Sequence, residues 1–196
     1  HPRVRRQRQM CIRDSSQIER KKGIKRTIQY RPDGNDFVCV NGKNRYTRAL
    51  YGGITDFRIE TSDRPVFAAY KPKDSKHICF RLQCGNQSIA LDSLKFCEAR
   101  YRAGRRTYRL TDPLLGKGEL NISVLAFPDA EGGIWRFTMK DMPEGALLHC
   151  YISEIRAKNL SRNGDMGADR ADSFDAPQLP KEQKHYKLSL DGTTAY

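Results

Sequence analysis

The sequence lacks three features that would each indicate a particular class of protein. Its six cysteines contain no Cys-x-x-Cys pair, which removes the usual zinc and thioredoxin-like spacings. No apolar run reaches the length of a transmembrane helix or of the core of a secretory signal. No long segment has the apolar spacing of a helix. What remains to be interpreted is the pattern of charge and of short strands.

Acidic residues are scarce at the N-terminus, and this imbalance produces most of the net charge. Residues 1–26 hold ten Lys or Arg and two acids, a net charge of +8, whereas the other 170 residues hold 26 basic and 21 acidic residues, a net charge of +5. Because the excess is concentrated in one segment, a nucleic-acid-binding function is only an alternative. We expect residues 1–26 to be a disordered basic head.

Part of this head has a sequence that is foreign to the rest of the chain. Residues 8–15 read RQMCIRDS and resemble the translated adaptor sequence that recurs at the broken ends of metagenomic gene models. We therefore expect residues 1–15 to be non-native, and no function is inferred from them.

Strict alternation of apolar and polar residues is most evident between Gly132 and Ile155. The apolar residues of two successive strands each share one face: Trp135, Phe137 and Met139 in the first, and Leu148, Cys150 and Ile152 in the second. Residues 142–145, MPEG, have the composition of a turn. The pattern predicts a β-hairpin with one apolar face and with Trp135 in the core.

Turn sequences recur about every eight to twelve residues along the rest of the chain, as in an all-β fold. Asn41-Gly42 predicts a type I′ turn, so Val38 and Val40 should pair with the segment after Lys43. About twelve strands exceed the seven to nine of an immunoglobulin-like domain. We predict a large two-sheet antiparallel β-sandwich over residues 27–196, with a long loop at residues 156–183.

Several segments together resemble a known family. They are residues 30–34, 37–41, 44–45, 48–52 and 57–60, with the 135–145 stretch and residues 163–168 further along. They resemble the six-hairpin-glycosidase-like proteins of polysaccharide-degrading bacteria, over roughly residues 27–196. The resemblance implies a β-super-sandwich followed by an (α/α)6 barrel, and the barrel carries the acids that hydrolyse the glycosidic bond.

The resemblance also implies that the sequence is truncated before the barrel and lacks the catalytic residues. From the residues themselves we expect no metal and no cofactor. It would be the non-catalytic N-terminal domain of a glycoside hydrolase acting on polysaccharide, periplasmic or secreted, with the signal peptide outside these residues. Its expected partners are the C-terminal barrel of the same parent chain and carbohydrate, without nucleic acid or membrane. A free-standing carbohydrate-binding module and a nucleic-acid-binding protein are the alternatives.

The long loop holds the first group of candidate binding residues. These are Asn163, Asp165, Asp169, Asp172 and Asp175. Four carboxylates within eleven residues could bind calcium through oxygen ligands, but the spacing does not follow the calcium-loop pattern and a solvated acidic loop is favoured. With a barrel implied by the resemblance, we expect this loop to lie over the domain interface and towards the substrate cleft.

The second group lies in the basic stretch at residues 98–110, which has five arginines and two tyrosines around a turn. Alternating Arg and Tyr, among them Arg100, Arg102 and Tyr108, can stack on bases or bind anionic sugars through bidentate hydrogen bonds. An exposed edge hairpin kept soluble by its charge is the favoured alternative.

Cysteine-based chemistry has little support. His149 and Cys150 are adjacent in a predicted strand, so their side chains point to opposite faces and the imidazole cannot activate the thiol. A metal set of His77, Cys79 and Cys84 is likewise disfavoured. We expect the strand cysteines, such as Cys39 and Cys150, to be buried free thiols.

Overall fold

A computed structural model describes residues 29–71 and 75–154, which form two antiparallel β-sheets packed face to face. The prediction of an all-β, two-sheet sandwich is confirmed. The predicted basic head at residues 1–26 and the predicted loop at residues 156–183 lie outside the described residues.

The first sheet consists of six strands. Numbered in chain order, they are β1 (Arg31–Asp33), β2 (Asp36–Val40), β8 (Phe96–Arg102), β9 (Arg105–Thr111), β10 (Glu119–Ala126) and β11 (Gly133–Lys140). They lie side by side in the order β1-β2-β8-β9-β10-β11. Within the described part of the chain, β1 and β11 are therefore the two edges of this sheet.

The second sheet also has six strands. They are β3 (Tyr46–Tyr51), β4 (Arg58–Ser62), β5 (Val66–Tyr70), β6 (Lys76–Cys84), β7 (Gln87–Ala90) and β12 (Leu147–Glu154). Their order is β12-β6-β5-β4-β3. The short strand β7 pairs with residues 81–84 of β6, on the same edge of β6 as β5. Two 3₁₀ turns, Leu91–Ser93 and Pro113–Leu115, complete the assigned structure. No helix long and apolar enough to cross a membrane occurs in the described residues.

Aromatic side chains from both sheets meet in the core. Phe67 of β5 makes edge-to-face contacts with Phe80, Tyr108 and Trp135, with ring centroids 6.1, 5.6 and 5.8 Å apart. Such contacts add a preferred ring geometry to the burial of apolar area. The prediction that Trp135 packs in the core is confirmed, although its side chain is only partly buried.

The predicted hairpin of residues 132–155 is wrong in its pairing. β11 pairs with β10 in the first sheet and β12 pairs with β6 in the second, so residues 141–146 carry the chain from one sheet to the other. Asp141 and Gly145 take the positive φ angles of 49° and 69° that this reversal uses. Alternation determines which face of a strand is apolar, but two such faces can lie side by side or opposite each other across a core.

The Asn41-Gly42 turn makes the same kind of crossover. Asn41 has a φ of 48°, but β2 pairs with β1 and β8, while β3 pairs with β4. Two hydrogen bonds hold Asn41 to Cys97 of β8: its side-chain oxygen accepts from the Cys97 N–H at 2.9 Å, and its N–H donates to the Cys97 carbonyl at 2.8 Å. The predicted pairing of Val38 and Val40 with the segment after Lys43 is therefore wrong.

β11 crosses the strands of the second sheet instead of following one of them. Along β11, Gly133 lies against Ile59 of β4, Trp135 contacts Phe67 of β5, and Phe137 contacts Phe80 of β6 with ring centroids 4.8 Å apart. Each step of two residues moves the contact by one strand, as in sheets whose strands cross at a large angle.

Candidate functional site

The hairpin of β8 and β9 lies in the middle of the first sheet. β8 pairs with β2, and β9 pairs with β10, so the alternative of an exposed edge hairpin is wrong. One face of the hairpin turns to the core and the other turns to solvent. Its arginines and tyrosines consequently separate into an inner and an outer group with different surroundings.

The inner group is Arg106 and Tyr108, both of which are fully buried. The Tyr108 hydroxyl donates to the Ser62 carbonyl at 2.6 Å. Arg106 donates from Nε to the Tyr108 hydroxyl at 3.3 Å and from Nη2 to the Ser62 carbonyl at 2.9 Å and the Tyr30 hydroxyl. Tyr108 was predicted to contact a ligand, but the structure places it in the core, because it alternates in phase with Leu110 along β9.

The surroundings of Arg106 are aromatic. Its guanidinium lies 5.3 Å from the ring centroids of both Tyr30 and Tyr108, a cation–π arrangement that strengthens when it is desolvated. No carboxylate among the described residues forms an ion pair with it, and its Nη1 has no hydrogen-bond partner there. Burial raises the pKa of Tyr108 despite the nearby guanidinium, so this phenol remains a neutral donor. The cluster joins the two sheets.

The outer group includes Arg100 and Arg102, which are largely neutralised by acids. Arg100 contacts the carboxylates of Asp33 and Glu98 at 2.9 and 2.8 Å, and Arg102 contacts Asp36 at 2.6 Å. The hydrogen bond from Arg102 holds the pKa of Asp36 below its usual value. Both arginines are at the surface, as a ligand site requires, but their guanidinium groups are already engaged.

Two arginines further along the same outer surface have no ion-pair partner among the described residues: Arg105 on β9 and Arg136 on β11. Both are exposed. The sheet register aligns Thr107 with Ser123 and Ser123 with Arg136, and it aligns Arg105 with Leu125 and Leu125 with Ile134. We call these six residues the Arg105–Arg136 face. From strand spacing and rise, the two arginine Cα atoms are roughly 12 Å apart.

This face combines three kinds of group that can bind a ligand: exposed apolar side chains, hydroxyls and guanidiniums. Leu125 and Ile134 are 39% and 46% exposed and supply apolar area between the two charges. The hydroxyls of Thr107 and Ser123 can both donate and accept hydrogen bonds. A guanidinium binds a carboxylate or a pair of hydroxyls through two parallel N–H groups.

A further charged pair lies on the outer side of the second sheet and was not found from the sequence. Arg58 and Glu60 form an ion pair in which both side chains are buried. The Arg58 guanidinium also lies 3.8 Å from the centroid of the Tyr70 ring. The Arg-x-Glu spacing puts both groups on one face of β4, but the sequence alone does not reveal that this outer face is buried.

Comparison with protein families matches residues 72–193 to DUF4450, a domain of unknown function. The chain belongs to the DUF4450 family. No curated protein and no solved structure matches it. The family match starts between β5 and β6, yet β5 pairs with β6 and β2 pairs with β8. The strands that precede the match are thus part of the same sandwich.

The cysteine and histidine side chains of this DUF4450 chain do not assemble a reactive site in the described residues. His149 bonds Gln83 at 2.9 Å, on the face of β12 opposite Cys150, as alternation predicts. Cys39 is buried as expected, whereas Cys150 is exposed, so the expectation of a buried thiol there is wrong. No three His, Cys, Asp or Glu side chains within residues 29–71 and 75–154 are grouped to bind a metal ion.

The acidic candidates of the long loop are not tested by the DUF4450 structure. Asn163, Asp165, Asp169, Asp172 and Asp175 lie outside the described residues. A shallow groove between Gln87–Ile89 and Asp112–Leu114 does lie within them. Its one carboxylate, on Asp112, already accepts hydrogen bonds from the backbone N–H groups of Lys95 and Leu114, at 2.8 and 2.9 Å. Because the charged group of this groove is engaged, the Arg105–Arg136 face is the stronger candidate for a binding site.

Proposed function

We propose that this DUF4450 chain is the non-catalytic β-sandwich domain of a glycoside hydrolase acting on polysaccharide, and that it binds the polysaccharide on the Arg105–Arg136 face. The sequence resemblance to six-hairpin-glycosidase-like proteins supports the assignment of the parent protein. The two-sheet architecture is compatible with the β-super-sandwich that the resemblance implies. A periplasmic or secreted location and a C-terminal barrel as partner belong to the same proposal.

The observation that carries the proposal is the contrast between two pairs of arginines on one surface. Arg100 and Arg102 are engaged by acids within 3 Å, whereas Arg105 and Arg136 have no such partner among the described residues. The second pair is flanked by hydroxyls and exposed aliphatic side chains. A polymer of sugars that carry carboxylates offers the matching groups: anions for the guanidiniums, hydroxyls for Thr107 and Ser123, and C–H surfaces for the aliphatic side chains.

The proposal is tested by measuring binding to a panel of acidic and neutral polysaccharides, using the full chain and two double variants. Arg105→Gln/Arg136→Gln should lower the affinity for polygalacturonate or alginate by about tenfold per arginine, the equivalent of one charge-assisted hydrogen bond each. Arg100→Gln/Arg102→Gln is the matched control and should change the affinity by less than about threefold. No chain in the panel should release reducing sugar.

Two results would contradict the proposal. Equal loss of affinity in both double variants would mean that the surface acts through its overall charge. Absence of binding to every polysaccharide would remove the binding role. DNA binding that depends on salt and survives removal of residues 1–26 would favour the nucleic-acid alternative. On the first sheet, acidic side chains lie between the arginines and pair with Arg100 and Arg102. A nucleic-acid-binding surface would need a continuous basic patch, so this arrangement supports carbohydrate binding over nucleic-acid binding.

A further inference from the structure

Near the start of β2, an aromatic ring on the core-facing side of the first sheet is left open to solvent. Phe37 lies two residues before Cys39 and therefore on the same face of the strand. Cys39 is 2% exposed, whereas Phe37 is 47% exposed. Phe37 is in register with Tyr101 of β8, which packs against the core and is partly buried. Because cross-strand pairs on one face have adjacent side chains, the two rings form a continuous aromatic surface.

A guanidinium from the second sheet lies at the border of this surface. The Arg48 guanidinium on β3 is 5.3 Å from the ring centroid of Tyr101 and 5.4 Å from that of Tyr30. It donates a hydrogen bond from Nη1 to the carbonyl of Thr47 at 2.6 Å, and no carboxylate of the described residues forms an ion pair with it. Since a guanidinium has five N–H donors, Arg48 retains donors for a ligand.

The position of Arg48 is fixed by a series of alternating rings and guanidiniums. The ring of Tyr30 lies between Arg48 and Arg106, at 5.4 and 5.3 Å from their guanidinium carbons. Arg106 in turn lies 5.3 Å from the ring centroid of Tyr108. This series begins in the buried core and ends at the aromatic surface. A charged group held in place before binding loses less conformational entropy when it binds a ligand.

We propose that Phe37, Tyr101 and Arg48 form a second sugar subsite, which binds a carboxylate-bearing sugar of an acidic polysaccharide. This inference rests on the proposed function, which supplies the class of ligand. The electron-rich faces of the two rings contact the apolar C–H face of the sugar ring. Arg48 binds the carboxylate of the same sugar through two parallel N–H groups.

The second sugar subsite and the Arg105–Arg136 face meet at the tip of the β8–β9 hairpin. Tyr101 is in register with Arg106, the residue that follows Arg105, so Tyr101 and Arg105 lie close together on opposite faces of the sheet. The hairpin turn between them, Ala103-Gly104, is exposed and has small side chains. One polymer can therefore pass over the tip and contact both sites, which raises its affinity through effective concentration.

The first test measures the affinity of the full chain for polygalacturonate. Phe37→Ala removes the exposed ring and Arg48→Gln removes the charge, and each should weaken binding about tenfold. Tyr51→Ala and Arg45→Gln are the matched controls and should stay within about twofold. Tyr51 is 58% exposed and is in register with Arg58 on the outer side of the second sheet, and Arg45 is exposed ahead of β3.

The results separate this inference from the proposed function. Unchanged affinity in Phe37→Ala and Arg48→Gln, together with the loss expected for Arg105→Gln/Arg136→Gln, would overturn the second sugar subsite alone. Equal losses in the two variants and their controls would also overturn it. Absence of polysaccharide binding by the wild type would overturn both.

The second test uses the unmodified chain, so that it does not depend on the folding of a variant. On titration with trigalacturonate, the aromatic NMR signals of Phe37 and Tyr101 should shift, whereas those of Tyr51 should not. No shift of the first two rings in a sample whose Arg136 signals shift would overturn the second sugar subsite alone. Shifts with a single-stranded oligothymidylate but not with trigalacturonate would also overturn it and assign the aromatic surface to nucleic acid.

Discussion

The two sides of the sandwich core are closed by different kinds of interaction. On the β8–β9 side, Arg106 and Tyr108 reach across to the Ser62 carbonyl of the second sheet, and each donor and acceptor has a definite position. On the β11–β12 side, the contacts are aromatic and aliphatic, and the area is only partly covered. The difference shows that the stability of a polar network depends on particular donor and acceptor pairs. The stability of an apolar contact depends instead on the area that it buries.

Asp63 illustrates how strongly the polar side is specified. It is fully buried, and its carboxylate accepts hydrogen bonds from the backbone N–H groups of Lys43 and Arg45 at 3.1 and 2.6 Å. Gly42 packs so closely that a Cβ at this position would lie 2.4 Å from the carboxyl carbon of Asp63. The crossover from β2 to β3 is therefore held by a buried acid and by a glycine that no larger residue can replace without displacement.

The largest effect is expected on the apolar side. Trp135→Ala should lower the free energy of unfolding by about 3 kcal/mol, through lost burial and the cavity it leaves, with the partial exposure of the ring placing it at the lower end for aromatic truncation. Ile134→Ala, next to it but on the outer face, should cost less than about 1 kcal/mol. Chemical denaturation of both variants measures the difference.

Comparable costs for the two substitutions would show that Trp135 contributes little to the core. Loss of polysaccharide binding in Trp135→Ala without loss of stability would instead make this ring part of a sugar-binding surface.

A smaller effect is expected on the polar side. Tyr108→Phe removes the hydroxyl that donates to Ser62 and accepts from Arg106, and should lower the free energy of unfolding by about 1.5 kcal/mol. Tyr51→Phe is the matched control, because Tyr51 is 58% exposed, and it should have almost no effect. A cost for Tyr108→Phe larger than that for Trp135→Ala would reverse the comparison, since the polar network would then contribute more than the aromatic contacts.

Alternation predicted the strands and their faces, but it could not predict their partners. On β11, the predicted apolar face is the one that meets the core, through Trp135 and Phe137. The pairings across Asn41-Gly42 and across residues 142–145 were wrong, because an apolar face is buried equally well beside a neighbour or opposite one. In the candidate site, Arg106 was grouped with the surface arginines because of its charge. Its spacing from Tyr108 and Leu110 was the available sign that it faces the core.

The ionisation of Cys97 provides a test of burial in the core between these two sides. Burial raises the pKa of its thiol from about 9.0 to about 12. The unfolded chain therefore loses this proton above pH 9 while the folded chain keeps it, so stability is complete below pH 9 and falls as the pH rises towards 12. Between pH 7.5 and pH 10, the wild type should lose about 1 kcal/mol more than Cys97→Ala.

Denaturation of the two chains at both pH values measures this loss, with Ala99→Gly as a control that does not ionise. An unchanged difference between the wild type and Cys97→Ala would show that the thiol is hydrated in the folded chain.

The smallest effect is expected from deletion of residues 1–15, and a longer deletion tests where the polar side begins. Residues 1–15 are rich in charge and poor in apolar residues, so their deletion should leave the thermal midpoint unchanged. Deletion through Tyr30 should lower it by several degrees, because the Tyr30 hydroxyl bonds both Thr47 and Arg106 and its ring lies 5.4 Å from the Arg48 guanidinium. A fall in the midpoint with the shorter deletion would make residues 1–15 part of the fold. Equal midpoints for the two deletions would show that Tyr30 is not needed to close this side, and that Arg106 and Tyr108 hold the sheets together without it.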